Sequence, residues 1–475
     1  MRPAIVVNPE SATPLHRQVY EEWRNGILTG RFHRGDRVPS SRELAGMLGI
    51  SRSTVTEAYE QLAAEGYLDS AHGSGTFVCR QIPDEFLQAR RPPGNGALGR
   101  AAPRLSRCGA RLTEDLRYGT AAAGVIPLSS GRPDLREFPF AIWRKLLARR
   151  IRMGTQELFD YAEQSAGYEP LRREVAAALS RSRAVRCDWQ QVVIVNGSQQ
   201  GLDLCVRLLL DAGDVVAVEN PGYPGARRVF SGYGAKLRPA RVDAQGIRVD
   251  DLGRKARLVY VTPSHQFPTG VSMSLARRLE LIEWARRCGA ILIEDDYSSE
   301  YRYSGAPLPA LQGLASDVPV IYLGTFSKTM FPGLRIGYVV LPPDLVGPFT
   351  RAKWLVDRQT PVLEQAALAD FIGEGHLERH VRRMRRLYGR RREVLVESIE
   401  LHFGNRAVVV GDAAGMHLMV RFQESAVLKR AARNRVEIGN ARVWYMNEAS
   451  DNELVIGFSD LGERTIREVG RRLAG

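Results

Sequence analysis

Cysteine is scarce in this sequence: Cys79, Cys108, Cys187, Cys205 and Cys288 are the five among 475 residues, and no two form a C-x-x-C pair. So odd and scattered a set argues against a disulfide framework and against zinc, and it suits a reducing compartment. Long apolar runs are missing too. No stretch of about twenty apolar residues could span a bilayer. The opening "MRPAIVVNPESATPLHRQ" lacks the apolar core of a secretory signal, so a cytoplasmic protein is expected. There is no internal repeat. What the chain has in excess is positive charge, a formal +14, which favours a polyanionic partner through its field and says nothing of fold. The length exceeds one ordinary domain and predicts two globular units, one of them large.

The first eighty residues read as three helices and a hairpin. In "TPLHRQVYEEWRNGILTG", Thr13 caps and Pro14 opens a helix. Leu15, Val19, Trp23 and Ile27 recur every four residues on its apolar face, and Gly30 ends it. In "PSSRELAGMLG", Ser40 and Glu43 form a capping box, Leu44, Met47 and Leu48 point inward, and Gly49 stops the helix. After only two residues comes "RSTVTEAYEQLAAEGYL", with Val55, Ala58, Tyr59 and Leu62 at helical spacing. Two short helices joined by a Gly-containing turn are a helix-turn-helix pattern, and "HGSGTFV" supplies a wing. Arg52 at the start of the third helix, with Ser53 and Thr56, is placed to meet base edges and phosphates. Arg42 on the second helix and His72 and Gly73 on the wing flank them. Residues 1–79 hold eight arginines against nine acidic residues, so DNA contact rests on local placement and not on the domain's net charge.

From Arg80 to about residue 125 the periodicity breaks into a Pro-, Gly-, Ala- and Arg-rich stretch that reads as a flexible linker. Beyond it, β-branched runs such as "QQVVIV", "DVVAVE", "RLVYVT", "GAILIE" and "VPVIYLG" alternate with helical segments. That is the pattern of a doubly wound α/β domain with a mostly parallel sheet, whose ligands collect at the carboxyl ends of the strands. Chemistry accumulates at those ends. "NGSQQGLDL" puts Ser198 and Gln199 at a helix N-terminus suited to phosphate. "ENPGYPG" offers Tyr223 as a flat aromatic on a rigid turn. "TPSHQFPTG" carries His265 and Gln266. "ILIEDDYSS" puts Asp295, Asp296 and Tyr297 at the tip of a buried strand, where a carboxylate needs a cationic partner such as a protonated pyridine nitrogen. "GTFSKTMFPGLRIG" holds Lys328, an amine able to form a Schiff base, among Thr325, Ser327 and Arg335, which suit a phosphate dianion. Phosphate turn, aromatic, acid, lysine and arginine on the strand ends of one sheet are what pyridoxal 5′-phosphate requires.

"RVPSSRELAGMLGISRSTVTEAYEQLAAEGYLDSAHGSGTFV" resembles the winged helix-turn-helix domain of GntR-type bacterial repressors. "GSQQGLDL", "NPGYPGARR", "TPSHQFPTG", "IEDDYSSEYRY", "LPALQG" and "YLGTFSKTMFPGLRIGY" occur in the order of the fold-type I aminotransferases, and the combination resembles the MocR subfamily of GntR regulators. The resemblance implies a winged helix-turn-helix domain over 1–79, a linker over 80–125 and an aminotransferase-like domain over 126–475 with a smaller C-terminal subdomain. It implies that Lys328 carries the cofactor, Asp295 pairs with the pyridine nitrogen and Tyr297 bonds the ring hydroxyl. Tyr223 would stack on the ring, with His265 and Gln266 near it, while Ser198, Gln199, Ser327 and Arg335 hold the phosphate. It further implies a head-to-tail homodimer, with active sites at the subunit interface, that reads paired half-sites on double-stranded DNA.

One departure stands out. Aminotransferases carry an arginine near the C-terminus that clamps the substrate carboxylate, where this chain has "LVIGFSD", with Val455 in its place. That weighs against transamination and against an ordinary α-amino acid as effector. The expected function is a transcription regulator, not an enzyme, which senses pyridoxal phosphate itself, as in relatives controlling vitamin B6 synthesis, or an amine from a catabolic pathway. An aminotransferase with an accessory DNA-binding domain and a DNA-binding protein with an inert scaffold are the alternatives. The basic run "ERHVRRMRRLYGRRRE", residues 378–393, reads as a solvated helix face or a second contact to the DNA backbone.

Overall fold

Alternating apolar periodicities of 3.6 and 2 residues are realised as two separate units in a computed structural model, with the division between Pro103 and Arg104. It describes residues 5–71, 75–82, 104–113, 125–128, 130–161, 165–305, 308–411, 413–447 and 452–475.

The first unit contains α1 (Leu15–Leu28), β1 (Arg37–Val38), α2 (Ser41–Leu48), α3 (Arg52–Ala64), β2 (Leu68–Ala71) and β3 (Gly75–Val78). The strands form an antiparallel sheet in the order β1-β3-β2. α1 starts one residue later than expected, with Pro14 at the cap position and no side-chain cap. The Ser40–Glu43 capping box is present, and Gly49 takes the left-handed backbone that ends α2. Ser51 caps α3, its hydroxyl accepting from the Thr54 amide at 3.2 Å. Val19, Trp23, Ile27, Leu44, Val55 and Leu62 converge in one core. Met47, expected inside, is 53% exposed. His72 and Gly73 lie outside the described residues.

The second unit opens with a helix, Arg107–Thr113, inside the stretch read as a linker. It packs on the helix Pro224–Gly232 so closely that a Cβ on Gly232 would come within 2.4 Å of Leu112 Cδ2. This part of 80–125 is therefore folded onto the large unit. The strands that follow are β4 (Ile126–Pro127), β5 (Val192–Val195), β6 (Val215–Asn220), β7 (Lys236–Asp243), β8 (Gly246–Ile247), β9 (Ala256–Val261), β10 (Ile291–Asp296), β11 (Val320–Thr325) and β12 (Gly337–Val340). All but β4 join one sheet in the order β5-β12-β11-β10-β9-β6-β7-β8. β7, β6, β9, β10 and β11 run parallel, and β12 is antiparallel to both its neighbours.

Strand alternation feeds two cores. Val192 and Ile194 pack with the helices Phe140–Met153 and Val362–Gly373, while Val193 and Val195 pack with Ser198–Leu209. The C-terminal part adds β13 (Ala407–Val410), β14 (His417–Phe422), β15 (Val436–Glu437), β16 (Gly439–Asn440) and β17 (Glu453–Gly457). The sheet β13-β14-β17-β16 is covered by the helices His376–Phe403 and Glu463–Ala474. Among the described residues, no helix is long and apolar enough to cross a membrane.

The basic run lies on the helix His376–Phe403, where several of its arginines hold the fold together. Arg391, 6% exposed, bonds Asp134 at 2.9 Å. Arg383 bonds Glu137 at 2.7 Å, Arg390 bonds Glu463 at 2.6 Å and Arg385 bonds the Glu300 carbonyl at 2.7 Å. The run is thus in good part a clasp between elements rather than a bare solvated face.

Candidate cofactor site

Parallel strands deliver their ends to one edge, and the loops leaving β5, β6, β10 and β11 enclose a cavity of about 230 Å³. Ser130, Gly131, Gly197, Ser198, Gln199, Tyr223, Phe267, Asp295, Tyr297, Thr325, Ser327, Lys328, Arg335 and His417 are among its lining residues. Of the eleven residues expected from sequence around the cofactor, nine line this one space, and His265 and Gln266 are not among its lining residues. His265 is buried just behind it, its ring centroid 4.9 Å from that of His417 and 5.8 Å from that of Tyr297.

Lys328 Nζ donates to the Gly131 carbonyl at 2.8 Å. Gly131 adopts φ +72°, and a Cβ there would lie 3.0 Å from Nζ, so glycine leaves the amine its room. Burial holds the Lys328 ammonium below the ordinary lysine range; Asp295 opposes this and Arg335 adds to it. A lysine made less basic by its surroundings is the better nucleophile toward a carbonyl.

Strand alternation separates the two aspartates at the tip of β10. Asp296 turns away from the cavity to Arg183 at 2.8 Å and the Tyr322 hydroxyl at 2.6 Å. Asp295 lines the cavity; its Oδ2 accepts from the Tyr260 hydroxyl at 2.5 Å, and its Oδ1 is buried with no partner among the described residues. Burial raises its carboxyl pKa to about 6. The buried Tyr297 hydroxyl likewise lacks a partner. Buried polar atoms are normally satisfied, and these two match the ring nitrogen and ring hydroxyl of a pyridoxal.

One end of the cavity is built around the helix Ser198–Leu209. Gly197 before it has φ +83°, and a Cβ there would come within 2.5 Å of Arg335 Nη2. Arg335 itself adopts φ +53° and donates to the Asn196 carbonyl at 3.3 Å. The Ser327 amide donates to Thr325 Oγ1 at 3.1 Å. Gln199 bonds the Gly225 carbonyl at 3.2 Å and receives the Tyr223 hydroxyl at 3.3 Å. Tyr223 is 37% exposed, which leaves its ring available for stacking. Gln266, expected near the ring, instead ties the turn, with Nε2 donating to Glu219 at 3.1 Å and to the Pro221 carbonyl at 2.9 Å.

Behind the turn lies a group that the sequence did not reveal. Asp357 Oδ2 accepts from Asn196 Nδ2 and Gln200 Nε2, both at 2.8 Å, and Lys353 donates to Oδ1 at 2.9 Å. One carboxylate thus ties Asn196 and Gln200, on either side of the turn that leads into the helix Ser198–Leu209. Asp357→Asn is expected to weaken pyridoxal phosphate binding by about tenfold, the order of one charge-assisted hydrogen bond. Pyridoxal, which has no phosphate, should be affected far less; equal losses for both ligands count against this role. Phe267, Gly131 and His417 are further lining residues that strand-end reasoning passed over.

On the first unit, Arg42, Arg52 and Ser53 are exposed and Thr56 is half-buried. Arg52 reaches Ser41 at 3.4 Å, and the Thr56 hydroxyl donates to the Arg52 carbonyl at 3.0 Å.

A helix-turn-helix head joined to an aminotransferase-like body defines the class, and comparison with known proteins agrees. Residues 15–78 match the gntR family of bacterial regulatory proteins and residues 123–446 match aminotransferase class I and II. The chain is 40% identical to the probable rhizopine catabolism regulatory protein MocR of Rhizobium meliloti, over 98% of this chain and 94% of that one. It is 31% identical to the pyridoxine biosynthesis transcriptional regulator PdxR of Corynebacterium glutamicum, over 98% and 96%. Among solved structures, the kynurenine aminotransferase of Pyrococcus horikoshii is 31% identical, with a TM-score of 0.70, over 74% of this chain and 90% of that chain. The chain belongs to the MocR family of GntR-type transcriptional regulators.

Proposed function

We propose that this regulator binds pyridoxal 5′-phosphate at Lys328 and uses the state of that site to set the grip of its winged helix-turn-helix on promoter DNA in the cytoplasm. The observation that carries the reading is the pair of unpartnered buried atoms, Asp295 Oδ1 and the Tyr297 hydroxyl, in the same cavity as a lysine of lowered basicity. When bound, the cofactor supplies an aldehyde carbon that bonds reversibly to primary amines. Around it, Asp295 holds the ring nitrogen protonated and Tyr297 bonds the ring oxygen. Tyr223 covers a ring face. Ser198, Gln199, Thr325, Ser327 and Arg335 anchor the phosphate. Arg42, Arg52, Ser53 and Thr56 meet the DNA. The valine at 455 favours a sensor over a transaminase. The test is spectroscopic: wild type incubated with pyridoxal phosphate and dialysed should retain a cofactor absorbance band that Lys328→Ala lacks, and equal spectra reject the assignment.

Two readings of the signal follow from the relatives. The one at 40% identity is named for rhizopine catabolism, which supports an effector drawn from a catabolic pathway. The one at 31% is named for pyridoxine biosynthesis, which supports pyridoxal phosphate itself. The higher identity favours the catabolic effector.

The regulator acts as a homodimer in this account. Leu355 is 80% exposed, Tyr161 76%, Met153 75% and Trp354 44%. Met153 and Trp354 line one cavity, and the Arg358 guanidinium lies over the rings of both Tyr161 and Trp354. Exposed apolar surface of this kind supports a protein interface there. Leu355→Asp is expected to shift the protein from dimer to monomer in analytical ultracentrifugation, and an unchanged dimer places the interface elsewhere.

A further inference from the structure

Asp296 points away from the cofactor site, and the two side chains that hold it, Arg183 and Tyr322, line a second cavity. This one is larger, about 770 Å³, a size that suits a small organic ligand. Its walls come from the helix Glu169–Arg183, the helix His376–Phe403 and the segment 299–305. The two cavities thus approach the tip of β10 from its opposite faces.

The inner walls are apolar. Leu179, Phe326 and Val381 are buried there with the rings of Tyr322 and Tyr338, which stand nearly parallel at a centroid distance of 6.5 Å. The charge around them is lopsided. Arg183 is paired with Asp296 at 2.8 Å, Arg278 with Glu294 at 3.7 Å and Glu378 with Arg382 at 2.5 Å. Arg181, Arg302 and Arg385 remain, none with a carboxylate in ion-pair reach among the described residues, against the single carboxyl of Glu300.

Arg302 is the best placed of the three, being half-buried where Arg181 and Arg385 are exposed. Its Nε donates to the Gly305 carbonyl at 3.4 Å and its Nη1 to Ser272 at 3.1 Å, while Nη2 has no acceptor among the described residues. Burial, with the charge of Asp296, lifts the Glu300 carboxyl to about 7, so it opposes a neighbouring anion less than an ordinary carboxylate does. A guanidinium lacking its counter-ion beside an apolar chamber calls for an anion that carries hydrocarbon. The head gains a charge-assisted pair and the body leaves water.

We propose that this cavity is a second ligand site, separate from the cofactor site, and that it takes an apolar carboxylate. The planar head meets the fork of Arg302, and an alkyl or aryl body lies against Leu179, Phe326 and Val381.

The test is calorimetric titration of the full-length protein with three probes. 4-Phenylbutyrate and 4-phenyl-1-butanol differ only in the head, and acetate lacks the body. 4-Phenylbutyrate should bind at one site per chain, at least about tenfold tighter than the alcohol, the order of one hydrogen bond to a charged group. Acetate should not bind at the same concentrations. Arg302→Gln should remove the preference for the carboxylate. Ala178→Trp, which fills the cavity from a half-buried helical position, should weaken both ligands at least about tenfold. Equal affinity for carboxylate and alcohol, binding of neither, or a folded Arg302→Gln that keeps the preference overturns the proposal. The titration is repeated with pyridoxal phosphate present, and binding that the cofactor abolishes puts the ligand in the other cavity and overturns it as well.

Discussion

Asp295→Asn should weaken pyridoxal phosphate binding at least a hundredfold, roughly 3 kcal/mol, because it strips the charge from a buried partner of the protonated ring while keeping its shape. The side chain is buried, its Oδ2 is held by Tyr260, and only Oδ1 is left for a ligand. Titration of fluorescence or absorbance with cofactor gives the constant directly. A loss under threefold places the ring nitrogen elsewhere. The same substitution has a signature without ligand. Burial raises the Asp295 pKa to about 6 from the 3.8 of a free carboxyl, so the folded state holds this proton more tightly than the unfolded state. The carboxyl therefore contributes most at low pH, and its contribution falls as pH rises from about 4 to about 6. Across that window the cofactor-free Asn variant should gain stability relative to wild type, by up to about 3 kcal/mol. Thermal denaturation at several pH values measures this, and a difference independent of pH contradicts it.

Trp23→Ala should abolish DNA binding while leaving the cofactor site loaded. Trp23 is 2% exposed at the centre of the first unit, with its ring centroid 4.3 Å from that of Phe32 and 6.0 Å from that of Tyr59. Truncating a buried tryptophan costs about 3–5 kcal/mol, comparable to the whole stability of so small a domain. The large unit has cores of its own, so cofactor absorbance should persist. Loss of both properties together shows that the units fold as one; retention of DNA binding shows that the head tolerates the cavity.

The contrast between these two units explains what sequence could and could not reveal. Capping residues and four-residue apolar spacing are local signals, so α2, α3 and the strand-end chemistry of Ser198, Asp295 and Lys328 could be read from a few neighbouring residues. The helix Arg107–Thr113 was not legible: seven residues within a Pro- and Gly-rich stretch show no usable periodicity, and its stability comes from packing on Gly232. His417 was missed for another reason. It reaches the cavity from β14 of the C-terminal sheet, far along the chain from every strand end that signals the cofactor, and an isolated histidine in "AGMHLMV" looks like core. Asp357 is equally remote from the turn it fixes. Strand alternation separates Asp295 from Asp296; the resemblance names Asp295 for the cavity, and Asp296 is bonded to Arg183.

The central claim is that the site around Lys328 governs the hold on DNA. It is tested most directly by measuring affinity for a duplex carrying the sequence upstream of the protein's own gene, for wild type and Lys328→Ala. Each is measured alone, with pyridoxal phosphate, and with pyridoxal phosphate plus a panel of small primary amines. The account predicts that wild-type affinity moves by on the order of tenfold, about 1.4 kcal/mol of coupling, in one of the two loaded states, and that the variant's affinity stays constant throughout. A wild type indifferent to both additions, or a variant that responds as strongly, contradicts it.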